Sequence, residues 1–157
     1  MPSNRTILIA IALACFGVIG VALYLQHAKG MLPCPLCVQQ RYAFIITGIF
    51  ALMAAFVPRQ KLWAGLGVAS IGWGGYTVAK HIDVINHPGF SCGIDPLETM
   101  LNKIPTATGM PWLFRADGLC EGAGELVLGL SVPHWSAVSM GVIFAGLLFV
   151  LVRRAIQ

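Results

Sequence analysis

Charge is what this sequence has least of. Only 10% of its 157 residues are Asp, Glu, Lys or Arg, against roughly 25% in an ordinary soluble domain. Too few polar side chains remain to cover a water-exposed surface, while 57% of the chain is hydrophobic. Acids are missing altogether before Asp83 and after Glu125. No long apolar run carries an acid or a base in its interior, which removes the usual mark of an ion pathway. The net charge is +4, but the cations are scattered and no basic patch interleaved with aromatics exists, so nucleic acid is excluded as a partner. Repeats and low-complexity tracts are absent too, and the length suits one domain covering 1–157.

What is present is apolar length. Residues 7–25 hold no charge and would reach about 28 Å as a helix, close to the roughly 30 Å hydrocarbon core. Three further runs, 42–57, 62–79 and 135–152, read the same way. In lipid each segment must satisfy its own backbone groups, so helices are expected. The fold class is therefore an all-α membrane protein, a bundle of four transmembrane helices embedded in the lipid bilayer. The glycines at 65, 67, 72, 74 and 75 would allow close helix contact within the third span. The first run is longer than a signal-peptide core and lacks a small-residue cleavage site, so it is read as an uncleaved anchor.

Orientation follows from the density of Lys and Arg. The segments 1–6, 58–61 and 153–157 place five cations in 15 residues; the loops 26–41 and 80–134 place five in 71. The positive-inside rule then puts both termini in the cytoplasm and both long loops outside. Within the second loop, Leu97, Met100, Leu101 and Ile104 sit at helical spacing, which suggests one short helix lying on the membrane surface. The loop prolines make longer regular structure unfavourable there.

Topology gives the five cysteines their meaning. Cys34 and Cys37 fall in the first outer loop, Cys92 and Cys120 in the second, and only Cys15 lies inside a span, where a small buried apolar role suits it. Four cysteines on the oxidising side imply disulfides. Cys34-Pro35-Leu36-Cys37 has the C-x-x-C spacing of thiol–disulfide oxidoreductases, and a helix start beside it would favour a thiolate. A four-thiolate zinc site and a pair of purely structural bridges are the alternatives. The spacing of the second pair argues against zinc, and a chain already held by lipid-embedded helices has little need of staples, so no metal is expected.

Pro33-Cys34-Pro35-Leu36-Cys37 followed by Gln40-Arg41 resembles the first-loop signature of the bacterial disulfide bond formation protein B (DsbB) family. The resemblance continues through Phe90-Ser91-Cys92, Asp117-Gly118-Leu119-Cys120 and Leu128-Gly129-Leu130-Ser131-Val132-Pro133-His134-Trp135. It implies a multi-pass inner-membrane enzyme that reoxidises a periplasmic DsbA-like thiol oxidase and delivers the electrons to ubiquinone or menaquinone. By matching positions, Cys92 would be attacked by the partner, Cys120 would then attack Cys34, and Cys37 would be left as the thiolate facing the quinone. Arg41 would lie beside the quinone carbonyl, and a permanent cation at the lipid boundary tends to mark function. His81 is a candidate quinone neighbour or proton source, and Trp135 a candidate lining residue, although interfaces favour tryptophan in any case. Some family members carry an acid where this chain has Gln40. A strongly oxidising partner needs a still better final acceptor, and a respiratory quinone in the bilayer meets that need.

Overall fold

The computed structural model describes residues 2–87, 96–118, 120 and 126–153. Among these the chain forms four long helices, three short ones and one two-residue hairpin. The long helices are α1 (Asn4–Lys29), α2 (Pro35–Phe56), α3 (Gln60–Asn86) and α7 (Val132–Val152); between the last two come α4 (Pro96–Asn102), α5 (Pro105–Gly109) and α6 (Pro111–Phe114). Strand β1 (Leu126–Val127) pairs antiparallel with β2 (Leu130–Ser131), Leu126 opposite Ser131.

Local chemistry sets the helix ends. Ser3 caps α1 by accepting the Thr6 N–H, and Gly30 closes it at φ 69° while its N–H bonds the Leu25 carbonyl; the left-handed cap is one that glycine enters without a Cβ penalty. Prolines open helices instead of merely breaking the chain. Pro35, Pro105, Pro111 and Pro133 stand in the first two positions of α2, α5, α6 and α7, where the missing N–H has no intrahelical acceptor to lose.

The four long helices close a ring: α1 packs on α2, α2 on α3, α3 on α7, and α7 back on α1. Leu8, Ile11, Phe44, Ile71 and Leu147 fill its centre, and Cys15 is wholly buried among them. Large apolar side chains also face outward, Leu13 and Val142 each at 68% exposure, the inside-and-outside apolarity that lipid permits. Helices α1, α2 and α7 are each long and apolar enough to cross a membrane, so the chain is a multi-pass membrane protein. Helix α3 is as long and completes the bundle, but it is not among the three that meet that test of length and apolarity.

The glycines of α3 divide by face. A Cβ on Gly74 would sit 2.7 Å from Ala43 Cβ and 2.9 Å from Met140 Cε, and one on Gly67 would meet Leu147 at 3.3 Å, whereas Gly65, Gly72 and Gly75 have nothing within 4 Å. Close helix contact is thus carried by Gly67 and Gly74 alone of the five. The expected short helix at 97–104 is present as α4, ending at Asn102; Leu101 is buried and Met100 is 65% exposed.

Candidate functional site

The site is built at the start of α2. Cys34 is the N-cap residue in extended conformation, and its Sγ accepts the Cys37 N–H at 3.2 Å. Cys37 therefore lies in the first helical turn, not in the loop ahead of the helix, because α2 begins seven residues before the apolar run at Tyr42. Both residues are thiols, with Sγ atoms 2.8 Å apart and Cys34 donating to Cys37. That hydrogen bond first, and burial second, push the Cys34 thiol above its ordinary range, so Cys34 keeps the shared proton.

Helix α3 supplies the next layer. His81 is wholly buried; its Nε2 lies 3.6 Å from Cys34 Sγ and its Nδ1 3.2 Å from the Gln40 amide nitrogen. The Cys120 main chain lies against the same imidazole. Cys120 is already one half of a disulfide and packs with Cys34 and Leu36 in a buried cluster completed by Cys37, Val84 and Leu97. Cys92 lies outside the described residues. Three of the four loop cysteines expected at the site are thus drawn to one end of the bundle. The Cys34, Cys37 and His81 ligand atoms all lie within 4.8 Å of one another, a set that also suits a soft metal ion.

Backbone contacts hold the second outer segment onto the first. The Asp117 and Gly118 N–H groups both donate to the Pro33 carbonyl, at 3.1 and 3.0 Å, immediately before Cys34. Gly118 is there by necessity, since a Cβ would stand 2.2 Å from the Leu32 carbonyl oxygen. Asn102 ties α4 to the same segment by bonding both the N–H and the carbonyl of Ala116. Tyr42 stacks on Phe114 at 4.4 Å and bonds Thr106 through its hydroxyl.

Arg41, one turn after Cys37, is only 6% exposed and donates through Nη1 to the Leu113 carbonyl at 2.7 Å. Among the described residues that carbonyl is its one hydrogen-bond acceptor, although a guanidinium offers five N–H groups. The Trp135 indole donates to the Val127 carbonyl at 2.8 Å and anchors the hairpin. Gln40 and Gly118 are the site residues whose roles sequence reasoning missed. The motif around Cys120 contained Gly118, and Gln40 stood out as a departure from the family pattern, but neither signal named a contact.

Residues 4–151 match the family model described as "Disulfide bond formation protein DsbB". Proteins named disulfide bond formation protein B from Cupriavidus necator and Herminiimonas arsenicoxydans are 49% and 46% identical to the chain. The first alignment covers 97% of this chain and 95% of that relative; the second covers 98% and 99%. A further one from Nitrosospira multiformis is 37% identical over 100% of this chain and 96% of its own length. With its cysteine pair at a helix start and nearly its whole length matched, the chain belongs to the disulfide bond formation protein DsbB family.

Proposed function

We propose that this chain oxidises a periplasmic DsbA-like thiol oxidase and passes the electrons to ubiquinone or menaquinone in the bacterial inner membrane. Its α3 crosses the bilayer as the fourth span, both termini are cytoplasmic, and the cysteines face the periplasm. The observation that carries the reading is the common buried cluster of the Cys34–Cys37 thiols and the disulfide-bonded Cys120.

The relay balances as a series of thiol–disulfide exchanges. A partner thiolate attacks Cys92 of a Cys92–Cys120 disulfide, and Cys120 leaves with the electron pair. Cys120 attacks Cys34 of an oxidised Cys34–Cys37 pair, expelling Cys37 as a thiolate at the helix N-terminus, where the helix dipole favours negative charge. The partner's second thiolate then resolves the mixed disulfide and frees Cys92, which attacks Cys120 and releases Cys34. Cys34 and Cys37 now hold two electrons, and their reoxidation restores the starting disulfide. The quinone, when bound, accepts those two electrons together with two protons.

The residues present fit such an acceptor. Arg41 is buried with donors to spare beside Cys37, so it would hold a quinone oxygen and oppose charge gathering there. Redox trapping in cells tests the reading: a strain lacking the chain should accumulate reduced thiol oxidase, restored to the oxidised form by the native chain and not by Cys34→Ser. Restoration by Cys34→Ser would overturn it.

A further inference from the structure

Cys34 is the sulfur common to two disulfides in the proposed relay, bonded first to Cys37 and then to Cys120. When Cys92 attacks Cys120, the Cys34–Cys120 bond breaks, the Cys92–Cys120 bond forms, and the electron pair stays on Cys34 Sγ. That charge appears at a fully buried atom beside another sulfur 2.8 Å away. Leaving is faster for a sulfur whose negative charge is stabilised, so this step calls for donors aimed at Cys34.

Among the described residues, backbone N–H groups at the start of α2 face it, the Cys37 N–H at 3.2 Å. A side-chain candidate is His81 Nε2 at 3.6 Å, and whether it donates depends on where the imidazole proton sits. Gln40 bears on that, alongside the Cys120 main chain, which also faces the ring. The Gln40 amide nitrogen is a donor only and stands 3.2 Å from Nδ1; in this amide orientation Nδ1 accepts and the ring proton is on Nε2. We propose that Gln40 is a positioning residue that holds His81 in the Nε2–H tautomer, so that His81 donates to Cys34 Sγ and helps it leave Cys120.

An acid at position 40 would reverse the arrangement. A carboxylate accepts the Nδ1 proton and turns the Nε2 lone pair toward Cys34, so a neutral imidazole there takes a proton instead of offering one. Gln40 and His81 are 6% and 0% exposed, so water does not compete for either ring nitrogen.

The inference rests on the proposed relay for its purpose but not for its test. Long-range proton–nitrogen correlation spectra of the 15N-histidine-labelled chain in micelles, with no partner or quinone added, distinguish the tautomers directly. His81 is assigned among the four histidines by the signal lost in His81→Asn. The expected result is Nε2–H in the native chain and Nδ1–H in Gln40→Glu. An Nδ1–H pattern in the native chain, or an unchanged pattern in Gln40→Glu, would overturn the proposal; should the variant misfold, the native pattern decides alone. In single-turnover release of Cys34 from a trapped Cys34–Cys120 disulfide, Gln40→Met, which keeps the volume and loses the donor, should be about tenfold slower. An unchanged rate would remove the functional half. Failed quinone turnover with the native tautomer intact would instead strike the relay.

Discussion

Replacing Gly118 with alanine should separate the two outer segments without disturbing the helix bundle. The new Cβ would be 2.2 Å from the Leu32 carbonyl oxygen and 2.7 Å from its carbon, both backbone atoms that no rotamer change can move. Relief requires Gly118 to withdraw, which breaks the two hydrogen bonds from Asp117 and Gly118 to Pro33. At about 1 kcal/mol net for each, the docked arrangement loses about 2 kcal/mol, or roughly thirtyfold in population. Because Cys120 follows two residues later, its exchange with Cys34 should slow by a similar factor. The assay uses a Cys37→Ser, Cys92→Ser background, in which Cys34 and Cys120 are the loop cysteines left to pair, and follows their disulfide by alkylation shift. Gly109→Ala, where a Cβ meets nothing within 4 Å, serves as the control. Equal pairing rates in Gly118→Ala and the control would refute the docking argument.

Other perturbations reach different parts of the account. Arg41→Met should raise the apparent quinone KM about tenfold or more while leaving mixed-disulfide formation with the partner unchanged; loss of partner capture instead would assign Arg41 to the outer loops. Cys92→Ser should abolish capture of the partner thiol oxidase as a mixed disulfide on non-reducing gels, and a normal yield would show the partner enters at another sulfur. Gly74→Val should lower thermal stability in detergent by an amount on the order of 1–3 kcal/mol through overpacking against Ala43 and Met140. Gly75→Val, with open space around it, should leave the unfolding temperature in place.

Much of the architecture was legible because lipid imposes a simple rule on composition. Four uncharged runs marked four helices, and three of the four cysteines outside the runs, Cys34, Cys37 and Cys120, come together in one buried cluster. The helix ends were not legible, because hydropathy reports where lipid is tolerated and not where the backbone stops coiling. Gln39, Gln40 and Arg41 end the apolar run before Tyr42, yet α2 continues back to Pro35, with Arg41 donating to Leu113 and Gln40 facing His81. Those partners lie 72 and 41 residues away in sequence, and no local pattern announces them. Counting glycines in α3 likewise could not tell Gly74, pressed between two helices, from Gly75 on open space. The loop prolines were legible as punctuation, but a proline marks a helix start only when the residues after it can coil.

The most direct test is anaerobic mixing of the purified chain with a reduced DsbA-like partner and a soluble quinone, measuring partner disulfide and quinol together. The account expects one quinol for each partner disulfide formed, with neither product appearing when Cys34 is replaced by serine. Partner oxidation without matching quinol, or equal yields from the Cys34→Ser chain, would contradict it.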